Sequence, residues 1–130
     1  MKIEHIDIWT KDIEGMKSFY ESVFRTTANE KYVNPKKKFE SYFLNFGKGS
    51  RLEIMTVPDI LETDSSAFPT VHAGYAHIAI SVGSQNEVDS LTASIKARGF
   101  RVISEPRHTG DGYYESVILD PDGNSIEITI

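Results

Sequence analysis

Apolar and polar positions alternate through residues 3–9, where Ile3, Ile6 and Ile8 are interleaved with Glu4, His5 and Asp7. A period of two rich in β-branched residues predicts a strand with two unlike faces. The period then lengthens. Met16, Phe19, Tyr20 and Val23 fall at i, i+3, i+4 and i+7, which is one face of a helix. Asp12 is placed to cap that helix, which is expected to run to about Phe24. Strands are predicted over residues 29–33, 39–46 and 51–57, with Lys48-Gly49 turning the last pair. Residues 58–73 hold Pro58, Asp59, Asp64, Ser65, Ser66 and Pro69 without a sustained period and read as a linker.

The first pattern then returns. Residues 75–82 predict a strand, and Ser84 with Glu87 forms an S-x-x-E capping box. Val88, Leu91 and Ile95 give a helix its apolar face, and Gly99 suits the position just past its end. Strands follow over 100–104, 113–120 and 125–130, and Asp120-Pro121-Asp122-Gly123 is the hairpin turn between the last two. The halves align: Phe43 to Val117 and Glu53 to Glu127 both span 74 residues, and His5 to His77 spans 72. The chain therefore reads as one domain, 1–130, built from two copies of a β-α-β-β-β unit: module one 1–57, linker 58–73, module two 74–130. The class is α+β.

Strand parity places the chemistry. Side chains alternate across a strand, so Ile6 and Ile8 share one face while His5, Asp7 and Trp9 share the other. By the same rule His77 lies opposite Ala76, Ile78 and Ile80. Glu53 lies opposite Leu52 and Ile54, and Glu127 opposite Ile126 and Ile128. The apolar faces need the amphipathic helices as cover, so the His/Glu faces point away from them. A single strand His or Glu is usually structural or solvent-facing. Two His and two Glu at matching positions of a repeated unit form a set, and a cation is the simplest partner for two carboxylates on such faces. His5, Glu53, His77 and Glu127 are thus the expected ligands of one divalent metal ion. Imidazole and carboxylate suit Zn, Ni, Co, Fe or Mn, with Ni, Zn or Co first, and this set leaves positions open for water or substrate.

Composition narrows the partners. There is no cysteine, so thiolate ligands and disulfides are excluded. The formal charge of −5 argues against nucleic acid. No run is apolar enough for a signal peptide's central region or a membrane span, so no membrane partner and a cytoplasmic location are expected.

Glu4-His5-Ile6, Phe19-Tyr20, Arg51-Leu52-Glu53, Ala76-His77-Ile78 and the run from Leu119 to Glu127 (L-D-P-D-G-N-S-I-E) resemble the vicinal oxygen chelate superfamily over nearly the whole chain. That group includes glyoxalase I, thiol transferases, epimerases, extradiol dioxygenases and bleomycin-binding proteins. The resemblance implies two βαβββ modules forming a curved mixed sheet around a metal-binding cup, with the helices on the outer face. The His-Glu-His-Glu set is similar to that of glyoxalase I, which implies a metal-dependent lyase or isomerase acting on a hemithioacetal of methylglyoxal or a related α-oxo adduct. It further implies a small-molecule substrate, a homodimer, Glu127 as the base and Glu53 as the second proton shuttle. Two departures concern the thiol. Trp9 stands where bacterial glyoxalase I typically has a glutathione-gripping Arg, and no Asn follows Glu53. The alternatives are thiol transfer, epimerisation, ring cleavage, or a binding module without turnover.

Trp9, Arg51 and Arg107 are the candidate substrate contacts. His72 and His108 read as exposed loop residues. Arg107, His108 and the glycines at 110 and 112 suggest a lid, and Glu115 shares one strand side with Tyr113 and Val117.

Overall fold

Asp12 starts the first helix as expected: its carboxylate accepts the Gly15 N–H at 2.9 Å, and α1 runs Ile13–Phe24. The structure, a computed structural model, describes residues 2–61 and 74–130. Most of the predicted linker, with His72, lies outside the described residues. The chain divides into two compact units, Met1–Thr63 and Asp64–Ile130.

The first unit contains β1 (His5–Trp9), α1, β2 (Thr27–Ala28), β3 (Tyr32–Asn34), β4 (Phe39–Asn45) and β5 (Arg51–Thr56). Its sheet runs β1-β5-β4-β2, with β3 also on β4; β1 and β5 are parallel and the remaining pairs antiparallel. The second unit contains β6 (Ile78–Ser81), α2 (Gln85–Ala97), β7 (Val102–His108), β8 (Tyr114–Leu119) and β9 (Ser125–Thr129), in the order β6-β9-β8-β7. Here β6 and β9 are the parallel pair. The α+β class holds, with one mixed sheet per unit.

The first helix buries the stripe the periodicity assigned to it, whereas α2 buries Val88 and Ile95 of its expected stripe together with Thr92, and leaves Leu91 only half-buried. Met16, Phe19, Tyr20 and Val23 are buried in the unit that also buries Leu44, Leu52 and Ile54. Val88, Thr92 and Ile95 are buried in the unit of Ile118, Ile126 and Ile128. Thr92 sits inside a core helix without leaving a polar atom unpaired. Its hydroxyl donates to Val88 O and shares a 2.6 Å hydrogen bond with the Ser116 hydroxyl. No helix among the described residues is long and apolar enough to cross a membrane.

Register supports the duplication residue by residue. Phe43 pairs with Glu53 and Leu44 with Leu52; Val117 pairs with Glu127 and Ile118 with Ile126. In the parallel pairs Ile6 faces Leu52 and Ile78 faces Ile126.

Three segments depart most from expectation. Residues 29–33 do not form one strand, because the Asn29 side chain accepts the Phe43 N–H at 2.7 Å and splits the segment into β2 and β3. β6 is shorter than predicted and begins just after His77. β7 is longer than predicted and carries Arg107 and His108, which are therefore strand residues where a loop was expected. Its pairing with β8 has two irregularities, and the one between Ser104 and Arg107 spans Pro106, which has no N–H to give to a ladder.

The end of α1 is strained. Arg25 caps it in the left-handed conformation, with φ 56° and ψ 33°. A side chain there costs roughly 1 kcal/mol, partly offset by the entropy a glycine would lose on folding. Arg25→Gly is expected to stabilise the protein by about 0.5–1 kcal/mol, a rise in Tm of about 2–4 °C. An unchanged or lowered Tm would show that Arg25 is not strained.

Candidate metal centre

The pairing of first and last strands decides where each imidazole meets a carboxylate. In the first unit β1 lies parallel to β5 with Asp7 opposite Glu53, so His5 is one alternation away on the same face. His5 Nε2 stands 4.0 Å from Glu53 Oε2. The other ring nitrogen, Nδ1, is 2.5 Å from the Glu4 carboxylate. A proton held on Nδ1 by Glu4 leaves the Nε2 lone pair free for a ligand role.

The second unit repeats the pair more tightly. His77 Nε2 is 3.3 Å from Glu127 Oε2. Both glutamate side chains are largely buried, 15% exposed at Glu53 and 16% at Glu127, while both histidines are more open. Burial pushes the Glu127 carboxyl above the usual carboxylate range. The nearby Glu115 charge raises it further, and His77 pulls it partly back.

The donor chemistry fits a divalent cation. Two ligand atoms side by side on one metal, each with a bond of about 2.1 Å, stand about 3–3.4 Å apart. The second pair already has that separation, and the first is somewhat wider. Within neither unit do three or more His, Asp or Glu side chains among the described residues gather into a set that could hold a metal ion alone. Each unit therefore brings its own expected His and Glu together and offers two ligands.

The candidate substrate contacts fare differently. Trp9 is 49% exposed on the face of His5 and Glu53, with its ring edge-on to Phe39 at 6.1 Å. Arg51 is already engaged, since its guanidinium pairs with Glu4 and lies 4.1 Å from the centroid of the Phe43 ring. Arg107 pairs with Glu115 at 3.1 Å through Nη2.

Glu115 is the residue that the sequence left open. It is buried, lies on the face of Glu127 and interacts with it. A signal for it exists in the hairpin turn. Asp120 N–H bonds Asn124 O, and counting outward from that closure puts Val117 opposite Glu127 and Glu115 opposite Thr129, all on one face.

Residues 2–128 match the family model described as the Glyoxalase/Bleomycin resistance protein/Dioxygenase superfamily. The Bacillus subtilis (strain 168) protein YqjT is 25% identical over 129 residues, covering 97% of this chain and 96% of its own. The crystal structure of glyoxalase I from Zea mays is similar, with a TM-score of 0.80, 23% identity and 98% of this chain covered. The chain spans 44% of the maize enzyme's length. A glyoxalase family protein from Enterococcus faecalis is similar over nearly its whole length, with a TM-score of 0.78, 22% identity, and 99% and 97% of the two chains covered.

Proposed function

The chain belongs to the Glyoxalase/Bleomycin resistance protein/Dioxygenase superfamily, and on that premise we propose that it is a divalent-metal-dependent lyase or isomerase of glyoxalase I type. Its substrate is a hemithioacetal of methylglyoxal or a related α-oxo adduct, and its working unit a homodimer in the cytoplasm. The observation that carries this reading is the duplicated pair: His5 with Glu53 and His77 with Glu127, at matching register in two modules.

In this reading each module contributes its pair as ligands to a Ni, Zn or Co ion. When bound, that ion supplies Lewis-acid stabilisation of the negative charge that develops on the substrate oxygens. The chain's own groups do the rest. Glu127 takes the proton from C1 of the adduct, and burial suits it to hold that proton. Glu53 delivers a proton to C2. The C1 hydroxyl proton passes to the C2 oxygen while the C1–H proton is replaced by one at C2, so atoms and electrons balance and no oxidant or second substrate is consumed. The exposed Trp9 indole, on the face of Glu53, offers an apolar wall to the substrate.

The test pairs two measurements. Elemental analysis of dialysed protein should find stoichiometric Ni, Zn or Co, and metal-loaded protein should turn over hemithioacetals of methylglyoxal with at least one thiol from a panel including glutathione and bacillithiol. Metal without turnover on any adduct would move the reading to thiol transfer, epimerisation or ring cleavage. A protein that binds a ligand but keeps no metal would be a binding module.

A further inference from the structure

The repeat accounts for the four expected metal ligands, and it leaves one cluster unexplained. Glu115 corresponds, 74 residues earlier, to Ser41, whose partner on the neighbouring strand is Tyr32. Module two has instead a buried carboxylate paired with an arginine. This pair is an addition to the duplicated set, and β7 is built irregularly around it.

In a regular strand Val102 and Ser104 would share one face and Arg107 would lie on the other. The pairing runs otherwise: Val102 opposite Ile118, Ser104 opposite Val117, Arg107 opposite Glu115. The first shift turns Ser104 away from the core face. The second brings Arg107 to the same side as Ser104. Both side chains then share the face of Glu115 and Glu127. Bulges commonly re-aim side chains in this way.

The guanidinium is pinned along one edge. Nε donates to Ser104 Oγ at 3.1 Å and Nη2 to Glu115 Oε1 at 3.1 Å. Among the described residues Nη1 has no partner, and the side chain is 54% exposed. Neutralising Glu115 would need only one contact and no second anchor at Ser104. A planar fork fixed on its inner edge presents its outer donors in the geometry that a carboxylate accepts bidentately. Arg51, the other candidate cation, is held by Glu4 and the Phe43 ring.

We propose that Arg107, oriented by Glu115 and Ser104, is the specificity residue that grips a carboxylate on the substrate's non-reacting part. Glu115 and Ser104 are positioning residues. The inference rests on the reaction proposed above, and its test separates the two.

The probes are N-acetylcysteine and N-acetylcysteine amide, which differ only in carboxylate against carboxamide. Their methylglyoxal hemithioacetals serve for turnover, and their S-methyl thioethers for calorimetric binding to metal-loaded protein. The native protein should favour the carboxylate member about 10-fold in KM and in Kd. Arg107→Ala should bring both ratios near one, and Arg107→Lys should leave an intermediate preference. Thermal unfolding and metal content of the variants check that the sheet and its pair are intact. Equal binding of both probes by the native protein, or a preference that survives in a folded Arg107→Ala, overturns the proposal and leaves the reaction standing. A binding preference lost in Arg107→Ala, with no turnover of any adduct, overturns the reaction and leaves the carboxylate grip standing.

Discussion

Glu127→Gln is expected to lower kcat for hemithioacetal turnover by roughly 10²–10⁴-fold, the usual contribution of a positioned general base. The amide keeps the shape of the side chain and one oxygen, so it tests proton transfer with little change in packing. Glu53→Gln should also reduce turnover. The two variants should differ in exchange of the C1 proton with solvent, which Glu127→Gln alone abolishes. Metal content must be measured beside the rate, because either change removes a charged ligand. A Glu127→Gln enzyme with full metal and native turnover would refute the base assignment.

The pH dependence has a defined sign. Burial and Glu115 raise the Glu127 carboxyl in the metal-free protein, so it holds its proton to higher pH than an ordinary glutamate. A cation must displace that proton to bind. Metal affinity should therefore fall as pH drops through the raised value, while Glu127→Gln should lose this part of the dependence. Competition titrations with a chelator at several pH values would measure it.

The largest expected loss of stability is at Tyr20. It is fully buried, with its ring 5.2 Å from Phe19, 5.8 Å from Phe24 and 6.5 Å from Phe46. Truncation to alanine removes the ring's transfer energy and leaves a cavity that these neighbours cannot close fully. The expected cost is about 3–5 kcal/mol, a fall in Tm of roughly 10–20 °C. Tyr32, half exposed on β3, is the comparison; Tyr32→Ala should cost less than about 1 kcal/mol. Equal losses in the two variants would mean that the aromatic cluster around α1 is not the core of its unit.

These outcomes depend on features that the sequence exposed unevenly. Both helices were legible because their caps and their 3.6-residue stripes agree: Asp12 with Met16, Phe19 and Tyr20, and Ser84 with Val88 and Ile95. The His/Glu faces were legible because parity within one strand needs no tertiary information. Face relations between strands were harder. Glu115 was left open since its parity depends on the register of the β8–β9 hairpin, although Asp120 and Asn124 fix that register. Arg107 and His108 read as a loop because Pro106 and the following glycines are breakers by composition. The double irregularity that keeps them in a strand is a compromise with β8, and no local pattern announces it. Asn29 is similar, since only its contact with Phe43 shows that the predicted strand is cut.

The parallel contact between the first and last strand of each module also sets an order of events during synthesis. β1 cannot find its neighbour until Arg51–Thr56 has been made, nor β6 until Ser125–Thr129. The hairpin of β4 and β5 is local and can zip early, as can that of β8 and β9. Each module therefore closes late, on a strand that has waited since the module's beginning.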